Sequence, residues 1–116
     1  MSTPLTQKFK SVLFNEEVAN GNSGATFTID WTKGQKQAIT LTAPCTFTFT
    51  PPIGIANFLL RIVQGGAGSF TATWPAAVKW AGAAAPTLST AIGAVDIVSF
   101  YWNGTNYYAV ASLNFA

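Results

Sequence analysis

AVDIVSFYW (94–102), NG (103–104) and TNYYAVASL (105–113) decide how this chain is read. Asn-Gly between two apolar runs is the strongest short-range signal for a β-hairpin, because both central residues of a type I′ turn need a positive φ, which Asn tolerates and Gly adopts freely. Counting outward from a two-residue turn sets Trp102 opposite Thr105, Phe100 opposite Tyr107, Val98 opposite Ala109 and Ile97 opposite Val110. One face of the ribbon then carries Val98, Phe100, Trp102, Tyr107 and Ala109, and the other Val95, Ile97, Tyr101, Tyr108 and Val110. Neither face is polar, so the ribbon requires cover on both sides.

A chain of 116 residues has room for one domain. A second sheet can cover one face of the ribbon; the other calls for a further copy or partner. Composition agrees: 49% of residues are hydrophobic and 9% charged, against about 25% charged in an ordinary soluble domain. So few charges suit a surface that is largely covered. Thr, Ser and Gly interrupt every apolar run, which excludes a transmembrane helix, and the N-terminus lacks the pattern of a secretory signal. Cys45 is the only cysteine, which fits cytosolic synthesis and a thiol inside a strand.

Outward from the hairpin, residues 1–11 read as an extended arm with Pro4, Lys8 and Lys10, and residues 12–116 as the folded domain. Ser11 to Ala19 can pair as a first strand, followed by a loop at Asn20 to Gly24. Strict alternation marks Ala25 to Trp31, Gln37 to Thr42, Thr46 to Thr50 and Ser69 to Trp74, while Asn57 to Gln64 is more continuously apolar, as in mid-sheet. Pro51-Pro52 and Pro75 close strands, Val78 to Trp80 is a short strand, and Ala81 to Gly93 is a long irregular connection. Seven to nine short strands with no amphipathic helix predict an all-β fold, an antiparallel β-sandwich of jelly-roll-like type with a short N-terminal arm.

The inventory for catalysis is thin, and no enzyme is expected. Without histidine there is no Ser-His-Asp or Cys-His machinery and no histidine metal site; no cofactor is implied. The carboxylates are Glu16, Glu17, Asp30 and Asp96. A pair of them would suit glycoside hydrolysis, but loop-edge solvation by the glutamates and turn or strand-end hydrogen bonds by the aspartates are the favoured roles. Gly65, Gly66 and Gly68 precede a strand and no Gly-Lys-Ser/Thr follows, so they read as a turn. The scattered Lys8, Lys10, Lys33, Lys36, Arg61 and Lys79 give no nucleic-acid footprint, and Arg61, inside an apolar strand, should pair internally or across a subunit contact. Trp74, Trp80, Trp102 and Tyr107 are the aromatic candidates for stacking on sugars, with packing the favoured role because most sit at alternating strand positions.

Phe27-Thr28-Ile29-Asp30-Trp31 with Lys33-Gly34, Thr46 to Phe49, Leu60 to Gln64 with Gly66 and Gly68-Ser69, Thr73 to Trp80, Ala85 to Ser89, and Asn103 to Tyr108 together resemble, over residues 25 to 110, a β-rich module of tailed-bacteriophage virion proteins. The resemblance implies a structural, homotrimeric virion protein made in the host cytoplasm. With a short arm in place of a fibre shaft, it points to a capsid decoration, or cement, protein. The arm residues Pro4, Leu5, Lys8, Phe9 and Lys10 would then dock on the major capsid protein, and Arg61, Phe100, Trp102, Tyr107 and Tyr108 would form the subunit interface. The alternative is a tail-fibre or tail-tip component that binds host surface glycans, for which Trp80 or Tyr108 would carry attachment. Neither nucleic acid nor membrane is an expected partner.

Overall fold

The computed structural model describes residues 13–115. The expected docking residues Pro4, Leu5, Lys8, Phe9 and Lys10 lie outside them. Among the described residues nine strands form two layers: β1 (Val18–Asn22), β2 (Thr26–Asp30), β3 (Lys36–Leu41), β4 (Cys45–Thr50), β5 (Ala56–Gln64), β6 (Ala72–Thr73), β7 (Val78–Trp80), β8 (Val95–Trp102) and β9 (Tyr107–Phe115). The larger sheet runs β1-β3-β5-β8-β9-β7 and the smaller β2-β4-β6. The fold is therefore all-β and two-layered.

Direction is where the structure departs from the sequence reading. The ladders β1·β3, β3·β5, β2·β4, β4·β6 and β7·β9 are parallel, and antiparallel pairing is confined to β5·β8 and β8·β9. From β1 to β6 the chain alternates between the sheets and returns each time beside the strand two earlier, winding a short parallel coil that the β8·β9 hairpin completes. A jelly roll would need antiparallel ladders throughout. Alternation in sequence reports which way a side chain faces and is silent on strand direction. A parallel connection ordinarily needs a crossover of a dozen or more residues; here the intervening strand of the opposite sheet supplies it.

The coil places like beside like. Phe27 pairs with Phe47, Ile29 with Phe49 and Thr28 with Thr48. Inward-facing Ile29, Phe47, Ile39, Leu41, Leu60 and Ile62 are all but fully buried between the layers. Trp31, just past β2, stacks on Phe58 at 4.5 Å and meets Phe49 edge-on at 5.6 Å. Two buried amides close the turns. Gln37 donates to the carbonyls of Asp30 and Gly34 (2.8 and 2.9 Å) and accepts from Asn20 Nδ2, while Gln64 exchanges two hydrogen bonds with the backbone of Phe70. Strand limits shift accordingly: β1 starts at Val18 rather than Ser11, it runs on through the expected loop to Asn22, and the Ser69–Trp74 strand shrinks to Ala72–Thr73.

The hairpin register also differs. Trp102 pairs with Tyr107 and Phe100 with Ala109, leaving Asn103 to Asn106 as the connection. Asn103 Oδ1 accepts from the backbone N–H groups of Thr105 (2.9 Å) and Asn106 (2.8 Å), and Gly104 takes φ 98°. This Asx-type loop outcompetes the two-residue turn because it satisfies two N–H groups at once. A slip of two residues preserves parity, so each residue keeps the face read from the sequence.

Candidate functional site

The two outer faces of the sandwich differ in chemistry. Thr26, Thr28, Thr46 and Thr48 stand on the exposed outer side of the small sheet, with the Thr28 and Thr48 hydroxyls 2.5 Å apart. The outer side of the large sheet is apolar and aromatic. Its register defines rows across the strands: Asn57, Tyr101, Tyr108 and Lys79; then Lys36, Leu59, Ser99 and Val110; then Ala38, Arg61, Ile97 and Ser112; then Thr40, Val63, Val95 and Phe115.

In the first two rows Tyr101 and Tyr108 lie directly opposite each other, their rings near-parallel at 22° with centroids 6.5 Å apart, and each is about half exposed. A groove of about 410 Å³ runs beside them, lined by Lys36, Asn57, Leu59, Ser99 and Val110. A second groove of equal size, walled by Lys79, Trp80 and Ala81, shares Tyr108 and Val110 with the first. The two grooves flank the Tyr108 and Val110 side chains, with Lys36 beside one and Lys79 beside the other. Lys36 Nζ also stands 5.2 Å from the centre of the Phe14 ring.

In the third row Arg61 grips Glu17 bidentately, Nη2 donating to Oε1 at 2.7 Å and Nε to Oε2 at 3.0 Å. The guanidinium hydrogen bonds hold the Glu17 carboxyl below the usual carboxylate range. This pair fixes the segment preceding β1 to the sheet, one of the two pairings, internal or across a subunit contact, expected for Arg61.

The remaining expected site residues divide by layer. Phe100 and Tyr107 are not surface groups: both are buried in the core, Phe100 edge-on to Phe49 at 5.4 Å and Tyr107 at 5.1 Å. As interface residues they are corrected to core residues, because the inner layer of the sandwich covers their face of the hairpin. Trp102 is half-buried with its ring 4.3 Å from that of Tyr107. Of that set, Arg61 and Tyr108 stand on the outer face. Trp74 packs on Phe47 at 5.2 Å and on Trp80 at 5.3 Å, the packing role favoured from the sequence. Alternation put Tyr101 on one face with Tyr108, but that this face is the outer one follows from the sandwich, and their direct pairing from the four-residue loop.

Asp30 accepts from the Thr32 N–H and hydroxyl at the turn, and these hydrogen bonds lower its pKa. Asp96 is buried and accepts from Ser89 N, Ser89 Oγ and Asn114 N at 2.6 to 2.8 Å. Both carboxylates are thus engaged in the local hydrogen bonding expected of them. Among the described residues no three His, Cys, Asp or Glu side chains gather to hold a metal ion. No protein family, curated protein or solved structure matches the chain.

Proposed function

We propose that this chain is a bacteriophage virion structural protein, a homotrimeric capsid decoration protein that docks on the head shell through its N-terminal arm. The observation that carries the reading is the unequal pair of outer faces: threonines on the small sheet, and Leu59, Val63, Val95, Ile97 and Val110 with two tyrosines on the large one. Each large apolar side chain left in water forgoes about 1.5 to 3 kcal/mol. A face of this kind on a chain with 9% charged residues supports subunit association. The lower two rows, Arg61, Ile97, Val63 and Val95, are the proposed contact, with Phe115 at their margin. The resemblance of residues 25–110 to phage virion modules supplies the threefold order and the particle. Arm contacts repeated over a lattice would add avidity although each is weak.

The test is the number of copies per purified particle, by quantitative mass spectrometry against the major capsid protein. Hundreds of copies commensurate with the shell support decoration; a handful in multiples of three moves the protein to the tail. Deleting residues 1–11 should abolish particle association and leave the oligomer folded. Full decoration by the truncated chain would refute the arm's role.

A further inference from the structure

Asn-Gly occurs twice in the chain, at Asn20-Gly21 and at Asn103-Gly104. Glycine carries no side chain to shield its own amide nitrogen, so that nitrogen can reach the side-chain carbonyl carbon of the preceding asparagine. Whether it does so depends on how the fold holds the asparagine, and the two sites are held in opposite ways.

At the hairpin tip, Asn103 and Gly104 are both exposed. Asn103 Oδ1 accepts from the N–H groups of Thr105 at 2.9 Å and Asn106 at 2.8 Å, which curls the side chain back over the Gly104 peptide. Two N–H groups on one carbonyl oxygen draw electrons from Cγ, and they are already aimed at the negative charge that the oxygen gains when Cγ is attacked. Among the described residues the Gly104 N–H and Asn103 Nδ2 have no hydrogen-bond partner. Nucleophile and leaving group are thus both open to water.

In β1 the amide is held by its other end. Asn20 is half-buried, and its Nδ2 donates to Gln37 Oε1 at 3.0 Å and to the Ala38 carbonyl at 3.1 Å. Gln37 is buried and bound in turn to the carbonyls of Asp30 and Gly34, so the acceptor is itself fixed. The nitrogen that would have to leave is tied to β3, and water is kept from it.

We propose that Asn103 is a site of spontaneous, fold-assisted deamidation and that Asn20 is protected from it. The Gly104 nitrogen gives its proton to hydroxide and bonds to Asn103 Cγ, while the carbonyl π pair moves onto Oδ1 beneath the Thr105 and Asn106 N–H groups. That pair returns, the Cγ–Nδ2 bond breaks, and the nitrogen takes a proton from water and leaves as ammonia. Solvent water then opens the cyclic imide at either carbonyl, which puts aspartate or isoaspartate at position 103. One water is consumed and one ammonia released, with nothing oxidised or reduced. The carboxylate gained takes the formal net charge from +2 to +1. Aspartate keeps the loop, because its carboxylate accepts from the same two N–H groups; isoaspartate adds a methylene to the main chain between Trp102 and Gly104 and distorts the hairpin.

The experiment incubates the full chain at mildly alkaline pH, folded in buffer and unfolded in guanidinium chloride. Both dipeptides are followed by peptide mapping and mass spectrometry, each event adding about 1 Da. In the unfolded chain the two asparagines should react at similar rates. Folding should speed Asn103 by about threefold or more, through the two N–H groups on its oxygen. It should slow Asn20 by about tenfold or more, through the two hydrogen bonds on its amide. Asn103→Gln, whose longer side chain would have to close a larger ring, should leave the tip unreacted over the same period. An Asn103 no faster in the folded chain than in the unfolded one overturns the proposal, and so does a folded Asn20 that keeps pace with Asn103. Copy number per particle tests the virion reading alone, so the two can fail separately.

Discussion

Tyr107 illustrates how one atom can work against its residue. Its ring fills the aromatic core, but its buried hydroxyl finds no hydrogen-bond partner among the described residues, and burial pushes its pKa up to about 12. A phenol that ionises near pH 10 in the unfolded chain and near 12 in the folded one binds more protons when folded across that interval. Stability contributed by this group is therefore complete below pH 10 and falls as pH rises toward 12, by on the order of 2 kcal/mol in all. Tyr107→Phe removes both the unpaired hydroxyl and the titration. It should raise stability by about 1 kcal/mol at pH 7 and flatten the alkaline loss, measured by urea melts at pH 8 to 11. Gly68 is constrained in the opposite sense. At φ 73° a Cβ would lie 2.6 Å from the carbonyl oxygen of Thr90, so Gly68→Ala combines left-handed strain with a backbone clash. It should cost about 2 to 4 kcal/mol by chemical denaturation.

At the scale of elements, the hairpin shows what alternation can and cannot encode. That Val98, Phe100, Tyr107 and Ala109 share one face was legible; that this face turns inward was not, since neither face is polar and Phe100 and Tyr107 were expected at a subunit contact, yet all four are buried. The partner across the ladder was not legible either, because loop length depends on how Asn103 Oδ1 shares itself between two backbone N–H groups. Asn103→Ala removes that acceptor and should lower stability by about 1 to 2 kcal/mol. In NMR spectra the cross-strand contacts of Trp102 should move from Tyr107 toward Thr105, the two-residue-turn register, with the buried face unchanged. The same limit hid the parallel ladders: Thr46 to Thr50 alternates identically whichever way its neighbours run. The outer face was half legible: alternation put Tyr101 and Tyr108 on the same side of the ribbon, but which side faces out, and that Lys36 and Lys79 join their rows, follow only from the register of five strands.

The whole molecule has two outer faces, and substitutions on them should differ in kind. Ile97→Lys adds a charge to the apolar lower rows, beside Arg61, its partner across β5·β8. If the proposed trimer forms through these rows, the variant should run as a monomer in sedimentation velocity with a nearly native melting curve. Thr28→Lys, on the exposed outer side of the small sheet, should leave the proposed assembly unchanged and shift stability by no more than about 0.5 kcal/mol. If both variants remain trimeric, the contact lies elsewhere.

The winding of the coil gives the molecule a direction. At one flank both sheets end in five-residue strands, β1 and β2; at the other they end in β7 and β6, of three and two residues. A further turn spliced in before Val18 would find matching parallel templates on both layers at once, and the packing around β8 and β9 would not have to change. A turn offered to the opposite flank would find scarcely a template at all. Evolution, or a designer, can lengthen this protein from one end only.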